Sequence, residues 1–439
     1  MAKNSHEIRD PIHVFIRLTT DERTVVDSIP FQRLRNIHQL AMSYLIYPGA
    51  THKRFEHSLG VMELASRVFD VVTNQDNINP TIRELIPEIS VEPKLGYWRS
   101  ALRMAALCHD LGHLPFSHAA EKMLLPEGWD HEHLTVEFIQ SKEMQEIWNS
   151  MTPPLRVEDI IKLAVGQKKL KGTKFSDWEA ILSEIITGDA FGVDRIDYLL
   201  RDSHHAGVAY GKFDHFRLID TIRILPKSNY GDGSIEPALG VQEGGLHSAE
   251  ALLLARYFMY TQVYFHPVRR IYDIHLRDFL LGFLKHGKFP TNIYELQMIS
   301  DNNVLSEIWQ AALAKNHPLH EVAQRIVMRG HFRRLYDKNP EDLSCNPHIG
   351  QVVFDQIKEV FGQDNIRRDD YTQKENAVDF PVLRNNGKIT SSFVLSATLQ
   401  RLPVASFDYI FIKPEFLKDG QAWLGKNIES MLSMVEKED

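Results

Sequence analysis

Apolar residues recur along this chain at two spacings, and the helical one dominates. Trp98, Leu102, Ala105 and His109 follow one another at helical intervals, which predicts a helix with an imidazole on its inward face. A second helix is predicted from Arg54, because His57, Val61, Leu64, Ala65, Val68 and Val72 trace one apolar face and set another histidine inward. A third starts near Trp129, with Asp130 as its cap and His131 in its first turn. The fourth starts near Val193, after Gly188 and Gly192. Asp194, Tyr198, Arg201 and Asp202 share its polar face, while Val193, Ile196 and Leu200 line the other.

Elsewhere the pattern is weaker. Residues 7–52 read as short helices broken by proline, with a loop at Pro48-Gly49, and residues 74–97, rich in Asn, Pro and Glu, read as a surface insertion. Gly231-Asp-Gly between short apolar runs predicts a hairpin within residues 221–241; helix resumes over about 246–286, and residues to about 338 read as helix with loops. From about residue 375 the period drops to two in Ala377-Val-Asp-Phe-Pro-Val-Leu, Ile389-Thr-Ser-Ser-Phe-Val-Leu and Phe407-Asp-Tyr-Ile-Phe-Ile, before a terminal helix. The expectation is a mainly α fold with a small β-hairpin and a C-terminal α+β region. Residues 1–338 would form the helical domain, with its chemistry within about 50–210, and residues 339–439 would pack on it.

Composition narrows the function classes. Of 439 residues, 43% are hydrophobic and 25% charged, which is ordinary for a globular protein able to bury a large core. Two cysteines, Cys108 and Cys345, make no disulfide framework, so a reducing cytoplasmic setting is expected. The first residues are polar and no run of 18 apolar residues occurs, so neither secretion nor membrane spanning is expected. A formal net charge of -8 disfavours general attraction to nucleic acid and suits a small anionic ligand at a local basic pocket.

The chemistry concentrates in Ala105-Ala-Leu-Cys-His-Asp-Leu-Gly-His-Leu-Pro-Phe-Ser-His118. An unpaired imidazole in a core is costly, and His109 beside Asp110 offers N and O ligands suited to a divalent first-row cation. The bland alternative is a buried His-Asp pair that only orders the core. Gly112 and Pro115 weaken the helix, which puts His113 and His118 at or beyond its end. Taken alone, His57 would be a satisfied core histidine and His131 an exposed one. Arg195 and Tyr198 are the residue types that grip a phosphate and a ring or sugar. The run Gln167-Lys-Lys-Leu-Lys-Gly-Thr-Lys reads as a solvated loop, and the cluster Tyr257, Tyr260, Tyr264, His266, Arg269, Arg270, Tyr272 as helix packing.

Together, His57, His109-Asp110 and Asp194 resemble the metal site of the HD-domain phosphohydrolase superfamily. Five blocks extend the likeness: Phe31-Gln-Arg-Leu-Arg; Pro48-Gly-Ala-Thr-His-Lys-Arg-Phe-Glu-His-Ser-Leu-Gly; Cys108 to His118; Trp129-Asp-His-Glu; and Asp194-Arg-Ile-Asp-Tyr with Arg201-Asp-Ser-His-His-Ala-Gly. In this order, over residues 7 to about 275, they are similar to the deoxynucleoside triphosphate triphosphohydrolase branch.

The resemblance implies an HD-domain helical core and a set of roles. His57, His109, Asp110 and Asp194 would hold the cation, whether Mn, Fe, Mg, Ni or Zn; Arg54, His113, His118 and His131 would surround the α-phosphate, with His118 or His131 as the acid. Arg195 and Tyr198 would hold the triphosphate, helped by Lys53; Asp202 would read the 3'-hydroxyl; Gln39, Leu40 and Tyr272 would pack against the deoxyribose. The implied reaction is hydrolysis of a dNTP at the α-phosphate to deoxynucleoside and tripolyphosphate. The alternatives are a phosphohydrolase of nucleoside monophosphates or cyclic nucleotides, and a catalytically silent nucleotide-binding regulator. Asp27, Gln32 and Arg35 match positions that take an activating nucleotide in relatives, which implies a homo-oligomer such as a tetramer; Asp27 could equally cap a helix and Arg35 pair on its surface. Two departures stand out. Ala41-Met42-Ser43 replaces a glycine run, and Tyr264 stands where a relative has a phosphate-binding Arg.

Overall fold

The computed structural model describes residues 5–119, 121–228, 233–372 and 378–434. Mainly helical, it divides into two compact units, each assembled from three stretches of chain. The first comprises residues 1–259, 289–302 and 377–402, and the second residues 260–288, 303–376 and 403–439.

In the first unit, helix Arg54–Val72 packs against helix Glu92–Cys108, and helix Val193–Ala206 lies on its other side. The apolar face drawn from His57 to Val72 is buried throughout. Gly60 makes the second contact possible. A Cβ there would stand 1.9 Å from Asp197 Oδ1 and 2.5 Å from Arg201 Nη2, so only glycine lets the two helices close. Asp130 caps helix His131–Ile139 as expected, accepting the His133 N–H at 3.0 Å. Gly112 admits that helix in turn, since a Cβ there would lie 2.1 Å from the His131 carbonyl oxygen.

The N-terminal segment departs from the expected short helices. Ser5–Asp10 and Val14–Thr19 pair antiparallel as a hairpin. Its turn is built by the Asp10 side chain, whose Oδ1 accepts the N–H groups of Ile12 and His13 at 2.9 and 2.8 Å. Residues 74–97 also depart, because Pro80–Leu85 and Pro87–Ser90 are helical and bury Ile82, Ile86 and Ile89 instead of forming a surface insertion. The expected hairpin is present as Ile222–Ser228 and Ile235–Gln242; Gly231 and Asp232 of its turn lie outside the described residues. Strands Pro381–Leu383 and Ile389–Ser391 extend it to a four-stranded sheet.

The second unit centres on a three-stranded antiparallel sheet with Ser406–Ile412 between Arg333–Asp337 and Ile366–Thr372. Tyr336, Ile349, Val353, Ile357, Ile366, Ile410 and Met431 form the core beneath it, supplied by the sheet and by helices Ile349–Phe361 and Leu417–Leu432. Arg333-Arg-Leu-Tyr-Asp is too charged to read as a strand, and it becomes one by pairing with a segment far along the chain. No helix among the described residues is long and apolar enough to cross a membrane.

Candidate metal centre and phosphate cleft

Helix Glu92–Cys108 ends one residue before His109, whose ring therefore leaves the helix axis at its C-terminus. His57, His109 and Asp110 bring one ligand atom each within 4.8 Å of one another. Asp194, in the first turn of its helix, adds Oδ1 at 3.0 Å from His57 Nε2 and 3.5 Å from His109 Nε2. Four side chains from separated parts of the chain thus converge.

The rings are held with the same nitrogen inward. His57 Nδ1 donates to Asp197 Oδ2 at 2.8 Å, and His109 Nδ1 donates to the Ala106 carbonyl at 2.8 Å, which leaves both Nε2 atoms facing the carboxylates. His109 Nε2 is buried and has no hydrogen-bond partner. Two imidazole nitrogens and two carboxylates around such an atom fit a divalent cation. Electrostatics agree. Burial alone would lower the His57 pKa, yet Asp194, Asp197 and Asp110 push it up to about 10; His109 is raised by Asp110 and Asp194 against the same burial. For both carboxylates burial works upward and is overcome: Arg54, His109 and His113 hold Asp110 well below its ordinary range, and His109 and His57 lower Asp194.

Asp197 anchors this set from behind. It accepts from His57, from His13 Nε2 at 2.6 Å and from Arg201 Nε at 2.8 Å, while Arg201 also donates to Asp10 at 2.8 Å. The ring Asp10, His13, Asp197, Arg201 is sealed from solvent. Sequence reasoning missed Asp10, His13 and Asp197. The available signal was spacing: Asp197 lies three residues after Asp194 and four before Arg201, and so shares their face. On that face Asp197, Arg201 and Asp202 are buried, while Asp194 and Tyr198 are half-buried.

Beside the cation set lies a second cluster. His113 Nε2 stands 3.1 Å from Asp110 Oδ1, and the His113 and His131 rings stack with centroids 4.1 Å apart. His118 completes the group at 4.7 and 5.0 Å from those rings, with 61% of its side chain open to solvent. Glu121, also missed from sequence, accepts from His118 Nδ1 at 3.0 Å and His131 Nδ1 at 2.7 Å. The histidines are pushed in different directions. Loss of hydration, Arg54 and His131 hold His113 well below its usual value, whereas Glu121 raises His131 against its own burial. Arg54 joins the two clusters, donating to Asp110 and, through Nε at 2.8 Å, to Ser117 Oγ.

The remaining sites named from sequence are distributed as follows. Arg195 and Tyr198 are half-buried on the Asp194 helix, and Arg195 Nη1 reaches the Gly188 carbonyl at 3.4 Å. Asp202 is buried and accepts from His52 Nε2 at 2.8 Å. Gln39 is half-buried and Leu40 buried, while Lys53 is tied by its ammonium to His38 Nε2 at 2.5 Å. Tyr272 and Tyr264 are buried in the second unit, Tyr272 with its ring 4.8 Å from His331. Of the three nucleotide-activation positions, Arg35 Nε donates to Gln32 at 2.9 Å, whereas Asp27 is exposed at the end of its helix and pairs with Arg23 at 3.2 Å. Asp27 therefore caps no helix start. It lines a hollow with Glu143 and Glu146.

The class follows from the fold and this constellation. The HD domain model matches residues 54–202, which run from Arg54 to Asp202, and the HD associated region model matches residues 213–406. The chain belongs to the HD-domain family of metal-dependent phosphohydrolases. A solved structure of a hypothetical protein from Aquifex aeolicus superimposes with a TM-score of 0.74 at 31% identity, covering 96% of this chain and all of that one. An uncharacterised protein of Methanocaldococcus jannaschii is 32% identical over 334 residues, covering 76% of this chain and 61% of its own length. A protein of Gallus gallus named deoxynucleoside triphosphate triphosphohydrolase is 28% identical over 372 residues, covering 77% of this chain and 57% of its own. The chain spans little more than half the length of these curated relatives.

Proposed function

We propose that this protein hydrolyses deoxynucleoside triphosphates at the α-phosphate, releasing deoxynucleoside and tripolyphosphate. One observation carries the reading: Asp110 belongs to both clusters, touching His57 and His109 on one side and Arg54 and His113 on the other. A phosphoryl group bridging them would meet the cation and the histidines together. His57, His109, Asp110 and Asp194 would hold a divalent ion, which when bound polarises a phosphoryl oxygen and lowers the pKa of a coordinated water toward about 7.

The chain's own side chains supply the rest. Arg54, fixed through Nε by Ser117 and through Nη1 by Asp110, would turn its remaining guanidinium N–H groups to a phosphate oxygen. His131 is the acid we favour, since Glu121 raises its pKa whereas loss of hydration and Arg54 lower that of His113. Arg195, next to Asp194, and Tyr198, one turn along, would hold the outer phosphates. Asp202, backed by His52, would read the 3'-hydroxyl, and Gln39 and Leu40 would face the sugar. The named activity of the Gallus gallus relative supports the substrate class. The same resemblance supports a homo-oligomer with an activating nucleotide at Asp27, Gln32 and Arg35, which would have to exchange the Arg35 to Gln32 bond for a bond to ligand.

The test is incubation of metal-loaded protein with the four dNTPs and the matching rNTPs, with nucleoside and polyphosphate products separated. Tripolyphosphate with deoxynucleoside is expected. Orthophosphate released singly would refute the regiochemistry, and turnover of nucleoside monophosphates or cyclic nucleotides alone would move the substrate class.

A further inference from the structure

Between His113 and His118 the backbone makes an unusual turn. Phe116 and Ser117 both lie in the left-handed region, at φ 59° and 57°, and neither is glycine. Successive L residues hold that conformation only where their surroundings over-determine it. What holds them comes from far along the chain. Asp301, fully buried and 185 residues from Phe116, opens the helix Asp301–Leu313. Its Oδ1 accepts the Phe116 N–H at 2.7 Å, and its Oδ2 accepts both the backbone N–H and the Nδ1–H of His38, at 2.8 and 2.6 Å.

The chain of bonds continues toward the cleft. The His38 carbonyl accepts the Ser117 hydroxyl proton at 2.7 Å, and the same Ser117 oxygen accepts Arg54 Nε–H at 2.8 Å. One carboxylate thus reaches both strained residues, Phe116 directly and Ser117 through His38. Lys53 closes the far side by donating to His38 Nε2, which settles the His38 ring with Nδ1–H toward Asp301.

We infer that Asp301 is a positioning residue of the hydrolase site: it locks the Phe116-Ser117 turn so that His118 and Arg54 face a common phosphoryl group. The inference rests on the cleft being a phosphohydrolase site; it does not depend on the base or the number of phosphates. A carboxylate is required because three N–H donors converge on two oxygens, and an amide would turn one of those acceptors into a fourth donor.

Two readouts test it. In metal-loaded D301N, hydrogen exchange followed by mass spectrometry should quicken over residues 114–119 and stay unchanged over the helix His131–Ile139. On dNTPs, kcat per folded molecule should fall by about tenfold to a hundredfold, the scale of a small misplacement of reacting groups. Affinity for Mn2+, titrated into metal-free protein, should remain within about threefold, since the ligands keep their own supports. Should D301N not fold, S117A breaks the same chain at its other end and should reproduce the loss in kcat. Unchanged exchange in the 114–119 segment overturns the inference, as does full kcat in both variants. Metal affinity falling in step with kcat also overturns it, because Asp301 would then serve the fold as a whole. The exchange measurement needs no substrate, so a wild-type protein inert toward every dNTP would refute the proposed function and leave this inference to be decided by exchange alone.

Discussion

Asp197 holds His57 by its Nδ1–H at 2.8 Å, and so decides which nitrogen of that ring faces Asp110 and Asp194. The same carboxylate is wedged against Gly60, one turn along the His57 helix. We expect G60A to push Asp197 away and weaken Mn2+ binding by about tenfold to a hundredfold, the usual cost of losing a partner behind a metal ligand. Calorimetric titration of metal-free protein measures it. D197N should do the same and also lower the melting temperature, because it leaves Arg201 buried with half its charge partner gone.

Proton linkage gives a second expectation. In metal-free protein the His57 pKa is raised to about 10 by Asp194, Asp197 and Asp110, against the pull of burial. A cation must displace that proton, so binding at pH 8 should release about one proton from this site, read as a heat that changes with the ionisation enthalpy of the buffer. The sign for stability is fixed likewise. A raised folded-state pKa contributes stability that is complete below the unfolded value near 6.5 and is lost as pH climbs through about 10. The melting temperature in chelator should therefore fall over pH 7 to 10, and bound metal should flatten the decline.

Glu121 sets the charge of the histidine cluster. Burial favours its neutral form, but hydrogen bonds from His118 and His131 keep it ionised, and it in turn raises His131. E121Q removes that support, so the alkaline limb of the kcat/KM profile should move to lower pH and kcat at pH 8 should drop. H131A should lose about a hundredfold or more, as expected for loss of a positioned acid. If H118A and not H131A abolishes turnover while E121Q leaves the limb in place, the proton comes from His118.

Ala41 occupies the left-handed region at φ 48°. An L residue there is strained by about 1 kcal/mol, so A41G should raise stability by up to that amount, offset by the extra freedom glycine gives the unfolded chain. Urea unfolding at fixed metal measures it. A loss of more than about 1 kcal/mol would show that the alanine methyl is packed rather than merely tolerated.

Much of the metal centre was legible because its parts carry strong local signals. Helical spacing turned His57 and His109 inward, although the helix stops at Cys108, a few residues before the glycine and proline expected to end it. Asp130 announced its helix by its cap. The polar face of the Val193 helix was drawn correctly, but nothing in the chain says that Asp197 and Arg201 meet His13 and Asp10 from a hairpin nearly two hundred residues earlier. That hairpin was itself missed: its strands are mostly exposed, and Ile16 and Leu18 are too short an alternation to stand out.

Glu121, Asp301 and Asp197 share a property that explains their absence from the sequence reading. Each is an ordinary carboxylate whose role comes from where the fold sets its partners, ten residues away for Glu121 and His131, 140 for Asp197 and His57, and 263 for Asp301 and His38. Periodicity, caps and breakers act over a few residues, so the chain alone could determine the helices, the inward histidines and the kind of ion they suit. Which nitrogen of each ring faces the ion, which way each histidine's pKa is pushed and what pins the Phe116-Ser117 turn depend on hydrogen bonds spanning up to 263 positions. Those bonds exist only once burial has removed competing water, and that is a property of the packed structure.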